Sequence, residues 1–205
     1  SFALCDRQGL VPARVVRESH HVYEVDRGGE CVQAQASGRC MYASESRADF
    51  PTVGDWVAGR DAGGLFLIEE LLPRKSRFSR KSAGSVTEEQ VVAANIGYLC
   101  VVCGLDGGRN FNLRGLERYL STAREGGASP VVVLNKCDLC SGSEREDFIT
   151  MARSVAGDIP VIMVSAKTGE GMEQVRGILT RGITAAFTGP SGAGKSALIN
   201  NLLGS

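Results

Sequence analysis

A glycine-rich octapeptide, Gly189-Pro190-Ser191-Gly192-Ala193-Gly194-Lys195-Ser196, sits between an apolar run at 183–189 and a helical pattern through Leu198, Ile199, Leu202 and Leu203. A G-x-x-x-x-G-K-[ST] turn in that setting joins a parallel strand to its crossover helix, so this part of the chain is expected to form an α/β sheet. The chemistry follows from the residue types. Glycines let successive backbone N–H groups converge on one phosphate, and the helix N-terminus opening at Lys195, Ser196 and Ala197 adds partial positive charge. Lys195 supplies a full charge, and the Ser196 hydroxyl is placed to ligate Mg²⁺. A glycine-rich turn with no ligand is the competing reading; the complete pattern in its proper setting argues against it.

A phosphate cradle does not choose a base, and two segments upstream of it do. Asn135-Lys136-Cys137-Asp138 ends an apolar strand pattern, where ligand crevices form at the carboxyl edge of a parallel sheet. A carboxylate at Asp138 can accept from both N1–H and the exocyclic amine of guanine, whereas adenine would leave it facing a lone acceptor. Asn135 can bond the base edge or brace the phosphate loop, and the Lys136 stem can cover the ring face. Ser165-Ala166-Lys167 closes a further strand, and its turn can aim the Ala166 N–H at guanine O6. Both base-reading segments precede the phosphate loop, and that order restricts the fold more than any one motif.

The rest of the chain divides by pattern. Short β-like runs at 11–17, 20–26, 31–35, 53–60 and 65–72, separated by turn-rich Arg27-Gly28-Gly29 and Asp61-Ala62-Gly63-Gly64, suit a five-stranded barrel of the oligonucleotide/oligosaccharide-binding (OB) type over residues 1–72. Residues 73–95 read as a basic linker and entry segment, with Arg74, Lys75, Arg77, Arg80 and Lys81 in one short stretch. From 96 to 205, strand patterns at 96–105, 130–136, 160–166 and 183–189 alternate with helical ones. The expected fold is therefore multi-domain, β plus α/β, with the barrel preceding a partial P-loop domain built on a parallel sheet.

Composition excludes some functions. Lys plus Arg balance Asp plus Glu at 23 each, so no whole-chain field draws the protein to a polyanion. The apolar runs at 98–103 and 130–134 are too short to span a bilayer, and no secretion signal opens the sequence. A cytoplasmic protein without membrane contacts, monomeric, is expected. Seven cysteines, an odd number, lie mostly in apolar runs and read as reduced packing thiols. Cys100 and Cys103 face opposite sides of a strand, so the pair of C-x-x-C spacings at 100–103 and 137–140 does not read as a zinc site. His20 and His21, adjacent on a strand, do not suggest a shared metal, and Trp56 reads as core.

The motifs and their order resemble the circularly permuted small-ribosomal-subunit biogenesis GTPase family, RsgA. The likeness extends to Val53-Gly54-Asp55-Trp56-Val57 in the barrel, Arg77-Phe78-Ser79-Arg80-Lys81 with Ala83-Gly84 in the linker, Gln90-Val91-Val92-Ala93-Ala94-Asn95 at the domain entry, and Phe111-Asn112-Leu113-Arg114 followed by Glu117-Arg118-Tyr119-Leu120. The resemblance implies GTP hydrolysis to GDP and phosphate, stimulated by the small ribosomal subunit during its late maturation, with contacts to rRNA. It further implies switch regions and a C-terminal zinc-binding domain after the phosphate loop; the sequence ends at Ser205 before either, so a truncated GTPase domain is expected, with 183–189 as an edge strand and slow turnover. No residue is assigned to orienting water. The rival readings are a non-catalytic RNA-binding module with a nucleotide-stabilised fold, and an ATP-using P-loop enzyme. Residues 1–72 carry seven Arg against eleven acids, a net of −4, so any RNA contact by the barrel must be local and assisted by Arg74, Lys75, Arg77, Arg80 and Lys81.

Overall fold

The computed structural model describes residues 9–19, 22–44, 46–81, 89–107 and 110–204. The chain separates into two compact units, Ser1–Ile96 and Gly97–Ser205. His20, His21 and Ala83-Gly84 lie outside the described residues.

The first unit is a closed barrel of β1 (Val11–Ser19), β2 (Val22–Asp26), β3 (Cys31–Ala36), β4 (Trp56–Ala62) and β5 (Leu65–Leu71), in the order β1-β2-β3-β5-β4, with β4 returning to β1. All pairs are antiparallel except β3 with β5. Period-two alternation fills the interior. Ala13 and Val15, Tyr23 and Val25, Ala34 and Ala36, then Phe66 and Ile68 point inward and are buried. A short helix, α1 (Gly38–Ala43), caps one end; Ser37 accepts from the Cys40 N–H and the Cys40 side chain packs into the barrel. Nothing in the apolar pattern announces this helix, which is one and a half turns long. Trp56 corrects its sequence reading. It sits outside the barrel core, half-buried in a small cluster with Leu10, Ala58 and Leu72, with the Arg14 guanidinium 5.5 Å from its ring centre.

The basic segment after the barrel contains a two-stranded antiparallel sheet, β6 (Arg77–Lys81) with β7 (Glu89–Ala94). Ahead of it lies a buried ion pair. Asp55 is fully buried and receives Arg74 Nε at 2.8 Å and Arg74 Nη2 at 2.7 Å, while the Thr52 N–H donates to the same carboxylate at 2.8 Å. Arg74 completes its donors on the Ala48 and Phe50 carbonyls at 2.5 and 2.9 Å. The Arg74 side chain is 13% exposed and forms a structural bridge within this unit.

The second unit is a four-stranded parallel sheet, β8 (Tyr98–Gly104), β9 (Ser129–Asn135), β10 (Val161–Met163) and β11 (Ala185–Thr188), ordered β10-β9-β8-β11. Its helices are α2 (Leu113–Glu125), α3 (Gly142–Ala156), α4 (Met172–Ile178) and α5 (Lys195–Leu203). Cys100, Val102, Val131 and Val133 face Met172, Val175 and Leu198 from α4 and α5. The alternate residues Leu99, Val101, Val132 and Leu134 are equally buried, so β8 and β9 are covered on both faces, as a parallel sheet requires. The buried thiols of Cys100 and Cys103 are pushed up to about 12 and about 11 by desolvation, which suits packing groups. Strand β11 stands at the sheet edge with all four residues half-buried. No helix among the described residues is long and apolar enough to cross a membrane.

Removing one partner of a buried ion pair strands the other, at a cost of about 3 kcal/mol. Asp55→Ala is therefore expected to lower barrel stability by about that amount in urea unfolding, and Arg74→Ala to do likewise. A loss of RNA affinity in Arg74→Ala with unaltered stability would contradict this assignment.

Candidate nucleotide site

The carboxyl ends of β9, β10 and β11 carry the motif residues, because parallel strands deliver their C-terminal turns to one edge. After β11 the backbone turns sharply at Gly189, whose φ is 138°; a Cβ there would stand 2.2 Å from the Val102 carbonyl of the neighbouring strand. The loop closes at Gly194, φ 92°, which caps α5. A side chain at Gly194 would meet Asn135 Nδ2 at 2.3 Å, so glycine is what lets the guanine motif approach the phosphate loop. Lys195 Nζ donates to the Gly189 and Pro190 carbonyls at 3.0 and 2.8 Å, which holds its charge over the loop. Ser191, Gly192, Ser196 and Ala197 are on the loop and first helical turn; Ser196 and Ala197 are exposed, Ala193 is buried beneath. The Ser196 hydroxyl is the hard oxygen donor of the set, and a Mg²⁺ ion suits it.

Asn135, 2% exposed at the end of β9, links the three motifs through one amide. Its Nδ2 donates to the Ala193 carbonyl of the phosphate loop at 3.0 Å, and its Oδ1 accepts the Ala166 N–H at 3.1 Å. Of the two roles open to Asn135, these bonds make the brace. The same bond means that the Ala166 N–H, the donor expected for guanine O6, is engaged by Asn135 here. The Ala166 carbonyl is held as well, by Asn201 Nδ2 of α5 at 3.2 Å.

Asp138 lies just past β9 in a single 3₁₀ turn, Cys137–Leu139. The fully buried Ser165 donates its hydroxyl to Asp138 Oδ1 at 2.6 Å and accepts the Thr168 N–H at 3.1 Å. The Ser165 hydroxyl first, then the local backbone and the Lys167 charge, hold the Asp138 carboxyl below its ordinary range. Lys136 adopts left-handed backbone, φ 71°, and its ammonium pairs with Asp106, which also accepts Asn110 Nδ2 at 3.0 Å. The Asp106 carboxyl is likewise held low, chiefly by Lys136. Sequence reading passed over Asp106 and Asn201. Asp106 stands just beyond β8 at the same sheet edge as Asn135 and Ser165, a position that flags it; Asn201 carries no local signal.

Of the basic candidates, Lys75, Arg77 and Arg80 are exposed, and Arg80 donates to Gln90 Oε1 at 3.0 Å. Lys81 ends β6. Among the described residues, no group of three or more His, Cys, Asp or Glu side chains could hold a metal ion.

A family model described as RsgA GTPase matches residues 71–205. The small ribosomal subunit biogenesis GTPase RsgA of Opitutus terrae is 40% identical over 210 residues, covering 96% of this chain and 55% of the relative. The small ribosomal subunit biogenesis GTPase RsgA 2 of Lactiplantibacillus plantarum is 39% identical, covering 98% of this chain and 56% of the relative. The chain thus spans about half the length of these curated relatives. Among solved structures, YjeQ from Thermotoga maritima superimposes with a TM-score of 0.74 at 24% identity, over 94% of this chain and 65% of that one. YloQ, described as a circularly permuted GTPase, gives a TM-score of 0.64 at 19% identity, over 94% and 63%. Those two likenesses establish the fold, a barrel with a circularly permuted P-loop α/β unit. With the model covering most of its length, the chain belongs to the RsgA GTPase family.

Proposed function

We propose that this protein binds GTP and GDP with Mg²⁺ and hydrolyses GTP in support of small-ribosomal-subunit maturation. The observation that carries the reading is the Asn135 amide, which joins the phosphate loop to the Ala166 turn at a single sheet edge. In this reading residues 1–72 form the RNA-facing barrel, 73–95 the joining segment and 96–205 the nucleotide domain. Asp138 accepts from guanine N1–H and the exocyclic amine, and the Ala166 N–H is shared between Asn135 and guanine O6. The Lys136 stem covers the base and Lys167 borders it. Residues 189–194 wrap the phosphates with Lys195, Ser196 bears on Mg²⁺, and Ala197 contributes its backbone N–H. The names of the curated relatives support the ribosomal partner. Lys75, Arg77 and Arg80 are exposed and suit rRNA phosphates, and the Arg74 guanidinium, paired with Asp55, is left to the barrel. These assignments include no group that orients the attacking water, so the 205-residue polypeptide is expected to bind nucleotide and turn it over slowly.

Base choice is tested by competition. GDP and GTP should displace a labelled GDP and ATP should not, and Asp138→Asn should weaken GDP by at least about tenfold while improving xanthosine diphosphate, whose O2 accepts from an amide. Retained GDP affinity in that variant would sink the assignment of Asp138.

The pH dependence follows from the lowered Asp138 carboxyl. A depressed acid stays ionised where a free Asp would begin to titrate, so its contribution to GDP affinity is present at neutral pH and lost only as pH falls below about 4. Between about pH 5 and pH 8 the GDP affinities of the wild type and Asp138→Asn should keep a constant ratio, since the terminal phosphate of GDP titrates alike with both; a midpoint in that ratio inside the window would point to a different titrating group.

The partner is tested on the intact protein with purified small subunits, which should raise its GTP turnover. Charge reversal at Lys75, Arg77 and Arg80 together should weaken subunit binding and flatten its salt dependence. Unchanged subunit affinity would remove this segment from the contact.

A further inference from the structure

Arg145, in the first turns of α3, lies outside all three nucleotide motifs yet touches the segments that flank two of them. Its Nε donates to the Cys137 carbonyl at 3.1 Å, one residue before Asp138. Its Nη1 donates to Glu170 Oε1 at 2.7 Å and its Nη2 to Glu170 Oε2 at 3.4 Å, a forked pairing beyond the Ser165-Ala166-Lys167 turn. Glu170 is itself fixed, since its carbonyl accepts the Ser165 N–H at 2.9 Å. Ser165 in turn donates its hydroxyl to Asp138. Hydrogen bonds thus link Cys137 to Arg145, Arg145 to Glu170, Glu170 to Ser165 and Ser165 to Asp138, and the Cys137–Asp138 peptide bond closes the ring, with the proposed base-reading carboxylate as one member.

We infer that Arg145 is a positioning residue for guanine selectivity, its guanidinium locking the Cys137 carbonyl and the Glu170 side chain so that Asp138 is held at a fixed distance from the Ser165 turn. The inference rests on the guanine reading above. Its physical basis is the rigidity that an acceptor of two base protons requires: the Ser165 hydroxyl fixes the Asp138 carboxylate directly, Arg145 keeps the Cys137 and Glu170 segments that carry the pair in register, and a bidentate contact is lost over small displacements. The start of α3 is itself secured, because Glu144 accepts from the Ser141 N–H and hydroxyl, both at 2.8 Å, so Arg145 reaches out from an anchored helix end. The Glu170 carboxyl is held below its ordinary range, first by Arg145 and then by the Cys137 thiol, consistent with one connected network. Arg145 and Glu170 are 30% and 50% exposed, which limits the effect to severalfold.

The test uses three probes on the intact protein: GDP, inosine diphosphate (which lacks the exocyclic amine) and pyrophosphate. The wild type should prefer GDP to inosine diphosphate. Arg145→Ala should weaken GDP by about fivefold and leave inosine diphosphate and pyrophosphate within about twofold, so the GDP preference collapses. Glu170→Gln should shift the preference the same way by less, and combined with Arg145→Ala should add nothing further. If Arg145→Ala does not fold, Glu170→Gln decides. A GDP preference that survives in both variants overturns the clamp and leaves the guanine reading standing. Equal weakening of all three probes also overturns it, as a general loss of structure. A wild type that binds GDP and inosine diphosphate alike overturns the clamp together with the reading on which it rests.

Discussion

The buried Asn135 amide is the contact on which the nucleotide edge depends. A side-chain amide offers a donor and an acceptor about one bond angle apart, and here each meets backbone from a different loop, Ala193 on one side and Ala166 on the other. Neither loop has a regular ladder to hold it at that height above the sheet. Because Asn135 is nearly inaccessible, water does not compete at its amide, and an apolar residue there would leave the buried Ala193 carbonyl and the half-buried Ala166 N–H without this partner. Gly194 belongs to the same device, since a Cβ would occupy the space of the amide nitrogen.

The barrel unit shows a parallel solution with charge in place of an amide. Asp55 and Arg74 are far apart in sequence, and their buried pair gathers the carbonyls of Ala48 and Phe50 around one guanidinium. Four hydrogen bonds from a rigid fork satisfy a carboxylate and two loop carbonyls together, which a lysine could not do. A positive residue in a basic run is thereby removed from the surface, and the exposed positive charge of that segment falls to Lys75, Arg77 and Arg80.

Much of both units was legible before any coordinates. Alternation through Ala13, Val15, Tyr23 and Val25 announced barrel strands, and the strand-to-helix setting of Gly189 to Ser196 announced a parallel sheet. Strand β11 stands at a sheet edge, in line with the expectation drawn from the family resemblance. Where reading failed, the reason was a long-range partner. Trp56 alternates correctly with Val57 but on the outward side of β4, where Arg14, Leu10 and Leu72 help cover that face. Arg74 looked like its basic neighbours because its partner lies 19 residues upstream. Asp106, Arg145 and Asn201 fall in no motif, as each acts through a residue brought near by the sheet.

By itself the sequence determined which elements form and what chemistry they can hold, because strand alternation, glycine placement and the guanine and phosphate motifs are local properties of the backbone and side chains. Tertiary structure alone decided which donor meets which acceptor: that Asn135 bonds both the Ala193 carbonyl and the Ala166 N–H, that Arg74 pairs with Asp55, and that Arg145 meets Cys137 and Glu170 beside Asp138. Hydrogen bonds act over about 3 Å, and no pattern along a chain specifies distances of that order between residues dozens of positions apart.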